Sequence, residues 1–117
     1  MTSVFKIISS EQWEEAQITG LIPPSSLDNN DQLHLALFDD LPAICSQFFK
    51  PEDYPIALEF SANSFIGEIN WVANQKHSWK DGWLKNERII ADTVLNIYSF
   101  ALTETNAGVT FSLLGES

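Results

Sequence analysis

Residues 31–38 read "DQLHLALF", and the reading of this stretch decides the fold. Leu33, Leu35 and Leu37 fall on alternate positions, the period of a strand with one buried face. The same alternation sends Gln32, His34 and Ala36 to the opposite face. Asp39 and Asp40 follow, and then Leu41, Ile44, Cys45, Phe48 and Phe49 recur at i, i+3, i+4, i+7 and i+8. That is one apolar helical stripe, with Asp39 or Asp40 as its cap and Pro42 tolerated in its first turn. The helix is expected to bury Leu41, Ile44, Cys45 and Phe48 against a sheet that includes strand 32–37.

Working outward, "VFKIIS" (4–9) reads as a short strand. "SSEQWEEAQITG" (9–20) is a helix with a Ser9–Gln12 capping box, acids near its start and Gly20 as its stop. "LIPPSSLDNND" (21–31) is a loop by its prolines and Asn/Asp/Ser content. "IALEF" (56–60) and "EINWV" (68–72) read as strands. "ANQKHSWKDGWLKNERI" (73–89) shows no clean period and reads as a long loop. "TVLNIYSFAL" (93–102) and "GVTFSLL" (108–114) form a hairpin through Asn106 and Gly108. "TETNAG" (103–108) is the one stretch able to set an appendage apart. The order β-α-β-α-β-β-β-β is an α+β pattern, in a single domain spanning 1–117.

The chain has 117 residues, with 16 acids against 6 bases for a net charge of −10. That balance opposes general binding to nucleic acid or to an anionic membrane, since both need a cationic face. A single cysteine, Cys45, allows no internal disulfide. No signal-peptide pattern and no run of about 20 apolar residues is present, so a cytoplasmic setting is expected. The motifs of phosphate loops, zinc sites and serine hydrolases are missing. "DNNDQL" starts like a calcium loop but has Leu33 where the required glycine would stand. No metal site is expected.

Two features could carry chemistry. His34, mid-strand and off the leucine face, can meet a ligand as donor or acceptor; its structural counterpart is a half-buried histidine bonded to a carboxylate or backbone partner. The stretch 71–88 interleaves Trp71, Trp79 and Trp83 with Lys76, His77, Lys80, Lys85 and Arg88. Amines for phosphate and indole faces for a ring suit a small, flat anionic ligand; the plainer alternative is a surface loop whose tryptophans close over the core edge.

Residues in both features also resemble a bacterial family, domain of unknown function 952. The matching elements are "FKI" with Lys6, Trp13 and Gly20, Asp28, "QLHLA" with His34, "QFF", "ALEF", Trp71 in "NWV", and "ADTV" with Asp92. They keep order and spacing over residues 4 to 101. The resemblance implies an ADP-ribosyltransferase-like fold: small bent mixed or antiparallel sheets with two main helices, enclosing a cleft that binds NAD or a similar nucleotide. It places His34 at that cleft. The expected ligand-binding set is His34, Trp71, Lys76, Trp79, Lys80 and Trp83, with His34 donating a hydrogen bond, indoles stacking and Lys76 or Lys80 meeting phosphate. The chain departs from the family where Val72 replaces a glutamate and "WLKN" stands for a histidine–tyrosine motif. Glu68 and Glu87 are the acids nearest in sequence to a catalytic role. Binding of a nucleotide-like or small anionic ligand without turnover is the leading expectation. The others are a protein-interaction module using the 71–88 surface, and NAD-dependent ADP-ribosyl transfer with a nonstandard acid.

Overall fold

The computed structural model describes residues 2–29, 31–85 and 87–116. Strand β1 (Ser3–Ile8) leads into helix α1 (Ser10–Thr19). The capping box forms as the sequence implies: Ser9 Oγ accepts from the Gln12 amide and the Gln12 side chain accepts from the Ser9 amide. Gly20 ends the helix in the left-handed region at φ 82°, where a Cβ would be strained. Then follow β2 (Gln32–Leu35), α2 (Leu41–Phe48), β3 (Ile56–Ser61), β4 (Asn70–Ala73), β5 (Lys80–Lys85), β6 (Asn96–Thr105) and β7 (Gly108–Glu116).

The strands form two sheets, β1-β3-β6-β7 and β2-β5-β4. Every strand pairing among the described residues is antiparallel, so the mixed option is set aside. β1 is buried on both faces. Its Phe5 and Ile7 join Leu41, Ile44, Cys45, Phe49, Ala57 and Phe111 in the cluster under α2. Its Val4 and Ile8 join Leu35, Leu58, Phe60, Leu84 and, from α1, Ala16 in a second cluster shared by the two sheets. Two helices and two curled antiparallel sheets thus make a small α+β fold.

Several expectations are corrected. The 73–89 segment is not a loop throughout: β5 lies inside it, with Gly82 and Leu84 inward and Asp81 and Trp83 on the other face. The period is hard to see because glycine stands at one inward position. A Cβ on Gly82 would lie 2.7 Å from the Trp71 ring, so the indole fills the place of a side chain. β2 ends at Leu35, because Ala36 exchanges both backbone hydrogen bonds with Phe5 of β1 and the chain changes partner there. β6 begins at Asn96, after a 3-10 turn at Ala91–Thr93, and after a register shift between Ser99 and Phe100 it pairs with β7 without interruption to Thr105, so 103–108 sets nothing apart. Asp40 holds the N-cap position of α2 without capping it; its carboxylate accepts from the Lys80 amide at 3.2 Å. α2 packs on β7 and β1 rather than on the sheet of β2. Phe48 is 49% exposed, and Phe49 turns inward instead.

Candidate functional site

His34 sits where the two sheets meet. Its backbone lies on the side of β2 away from β5 and needs partners there. The Asp28 carboxylate accepts from the His34 amide at 2.9 Å, and the Lys6 ammonium donates to the His34 carbonyl at 3.4 Å. Lys6, 1% exposed, pairs with Asp28 at 2.6 Å, and Asp28 also accepts from the Ser25 amide. Burial lowers the Lys6 pKa, and the charge and hydrogen bond of Asp28 oppose that shift. Lys6 of β1 and Asp28 of the preceding loop thereby clamp one residue of β2.

The His34 ring is held separately. Nε2 lies 2.7 Å from Asp81 Oδ1, and that carboxylate also accepts from Trp79 Nε1 at 3.0 Å and Asn74 Nδ2 at 2.9 Å. A carboxylate only accepts, so Nε2 carries the proton and Nδ1 presents a lone pair. Burial lowers the His34 pKa more than the hydrogen bond and charge of Asp81 raise it, which keeps the ring neutral near pH 7. Nδ1 has no partner among the described residues. Because no fully buried side-chain nitrogen or oxygen among the described residues is unpaired, Nδ1 is not fully buried. The residue as a whole is 4% exposed. None of the four cavities described for the molecule includes it, so His34 offers a ring edge rather than the floor of a deep cleft.

Register sorts the other expected residues. Directly opposed residues in antiparallel strands share a face. His34 opposes Trp83, which opposes Asn70, so these three lie together; the His34 and Trp83 ring centroids are 5.2 Å apart, edge to face. Gln32 opposes Lys85, which puts Lys85 on the same face. Trp71 opposes Gly82 and packs against the second cluster, on the leucine side. Trp79 is buried and reaches the site only through its hydrogen bond to Asp81, so it has no free face for a ligand. His77 stacks on it at 4.1 Å. Lys80 falls on the face opposite Asp81, and Lys76 lies exposed in the β4–β5 connection. Of the expected set, His34 and Trp83 are brought together, Trp79 supports them, and Trp71, Lys76 and Lys80 are not gathered with them.

Sequence reasoning missed Asp81, Asn74 and Lys85 in these roles. The available signal was Asp81 itself, an acid between two tryptophans in the most basic part of the chain. Glu87 is committed elsewhere, accepting from the amides of Ile66 and Gly67. Glu59 is buried and accepts from Ser3, Asn96 and Tyr98, whose hydrogen bonds hold its pKa below the usual carboxylate range despite burial. Burial pushes the Cys45 thiol up to about 12, which leaves it unreactive. No cluster of metal-ligating side chains occurs among the described residues, and no helix there is long and apolar enough to cross a membrane.

No family model matches the sequence, and no curated protein matches it. Among solved structures, the chain is similar to protein CC0527 from Caulobacter crescentus, at 18% identity and a TM-score of 0.72 over 93% of each chain. It is likewise similar to a double mutant of that protein, at 18% identity and a TM-score of 0.71 over 93% of each chain. Identity this low establishes a shared fold only.

Proposed function

We propose that this is a cytoplasmic binding domain for a small nucleotide-like ligand, held on the sheet face that carries His34, Trp83 and Lys85. The observation that carries the reading is the His34 ring, oriented by Asp81 with Nδ1 unpaired beside an indole. A neutral ring in this tautomer accepts a hydrogen bond from the ligand, such as one from a sugar hydroxyl; it does not donate one, as the sequence alone suggested. Trp83 supplies a surface for a planar ring, and Lys85 rather than Lys76 or Lys80 is the base placed for phosphate. The meeting of Lys6, Asp28 and His34 supports kinship with the domain 952 family and its ADP-ribosyltransferase-like fold, since these residues carry that resemblance. Glu87 is engaged by the amides of Ile66 and Gly67 and Asp81 is bound to the ring, so neither is free to steady an oxocarbenium-like ribose, and Glu68 has no contact with His34 that would set it to do so. The reading is therefore binding without turnover.

Titration with ADP-ribose or NAD should change tryptophan fluorescence, and the change should weaken with added salt. Trp83→Phe should remove most of the signal, and His34→Ala should abolish binding. No response across a nucleotide panel, with a protein partner captured by the wild type and lost on Lys85→Glu, would replace this reading with an interaction module. Nicotinamide released from NAD by the wild type and not by His34→Ala would show the transferase reading instead.

A further inference from the structure

Beside the 50–55 loop lies a cavity of about 470 Å3, which shares no residue with the His34 face. That volume is in the range of small-molecule sites. Its walls include Ile56 of β3, Phe100 and Leu102 of β6, Phe111 of β7, and Tyr54 and Glu52 from the loop. Phe100 and Phe111 stand edge to face, with ring centroids 6.1 Å apart. Tyr54 is the one non-glycine residue with positive φ among the described residues, at 45°, and it is 73% exposed.

Such a backbone persists only where its surroundings enforce it. Here the enforcement is visible. Pro51 and Pro55 flank the turn, the Tyr54 amide donates to the Pro51 carbonyl, and Ser10 Oγ donates to the Tyr54 carbonyl at 2.5 Å. The Lys50 amide donates to the Asp53 carboxylate at 2.9 Å. The loop is thus tied at several points while its tyrosine stays uncovered.

Chemistry selects the ligand. The walls are mostly apolar and aromatic, no lysine, arginine or histidine is among them, and Glu52 adds a carboxylate. The chain carries a net charge of −10, so its field repels anions. Aromatic faces next to an acid attract a cation that has an apolar body. We infer that this cavity binds a small organic cation of the aromatic ammonium type, a ligand opposite in charge to the one proposed for His34.

The test is calorimetry of the whole protein with benzyltrimethylammonium, its uncharged tert-butyl isostere and phenylacetate. The cation should bind and phenylacetate should not. The neutral isostere should bind about two- to fivefold more weakly than the cation, the range of an exposed cation–aromatic contact. Glu52→Gln should weaken the cation and leave the isostere unchanged. Tyr54→Gly, which accepts the positive φ, should weaken the cation while the thermal melt shows the fold intact. Equal affinity for cation and isostere, or no binding of the cation at millimolar concentration, would overturn the inference. So would a concentration-dependent dimer abolished by Leu102→Glu, which would assign the cavity to a second copy of the chain.

Discussion

At the scale of single residues, His34 shows how surroundings choose a side chain's role. Its protonated form is disfavoured in the fold because burial outweighs the help from Asp81. Below about pH 6.5, the ordinary histidine value, the unfolded chain therefore holds more protons at this position than the folded one. The fold should lose stability as pH falls from about 6.5 toward the lowered value, and His34 should add no pH dependence above that window. The slope for one group reaches at most about 1.4 kcal/mol per pH unit. Denaturant melts between pH 7.5 and 5 should show the loss, and His34→Gln should flatten it. An unchanged slope in the variant would mean that His34 titrates normally. Glu59 acts in a lower window: its contribution is present above about pH 4.5 and fades as pH falls through its depressed value. Residue type alone picked out His34 as chemically notable. Which ring nitrogen carries the proton, and which is left as an acceptor, depends on Asp81, 47 positions away.

Among the elements, α2 separates what a periodic pattern can and cannot tell. The stripe Leu41, Ile44, Cys45 is buried as its spacing requires. The same spacing extended one turn would bury Phe48, but the helix ends at that residue. Phe49 is extended, at φ −117° and ψ 154°, which swings its side chain into the core and leaves Phe48 edge-on over Trp79 at 6.1 Å. Phe49→Ala should cost about 3–5 kcal/mol, as for a buried phenylalanine. Phe48→Ala should cost only about 1–2 kcal/mol, because much of its surface is already in water. Urea midpoints of the two variants decide it, and equal losses would contradict this division. By contrast, α1 was legible from end to end, because its capping box and terminal glycine act within a few residues.

Over the whole molecule, the polar part of the joint between the sheets is narrow: the Phe5–Ala36 bridge and the Lys6–Asp28–His34 contacts. Asp28→Ala would strand a buried ammonium and leave the His34 amide unpaired. Breaking a buried pair from one side costs about 3–5 kcal/mol, so the variant should unfold at markedly lower denaturant. Asp28→Ala with Lys6→Met removes both charges and should recover part of the loss; a double variant no more stable than the single one would show that the amide contact, not the charge pair, matters most. Composition, helix caps and alternating leucines were enough to specify an α+β chain, the course of α1, the start of α2, and a histidine off the leucine face. These signals are local, since each rests on residues within about two turns of one another. Tertiary structure alone decided that 80–85 is a strand, that Lys85 and not Lys80 shares a face with His34, and that Asp81 orients the ring. Those outcomes depend on register between strands distant in the chain, where a shift of one residue sends every side chain to the other face.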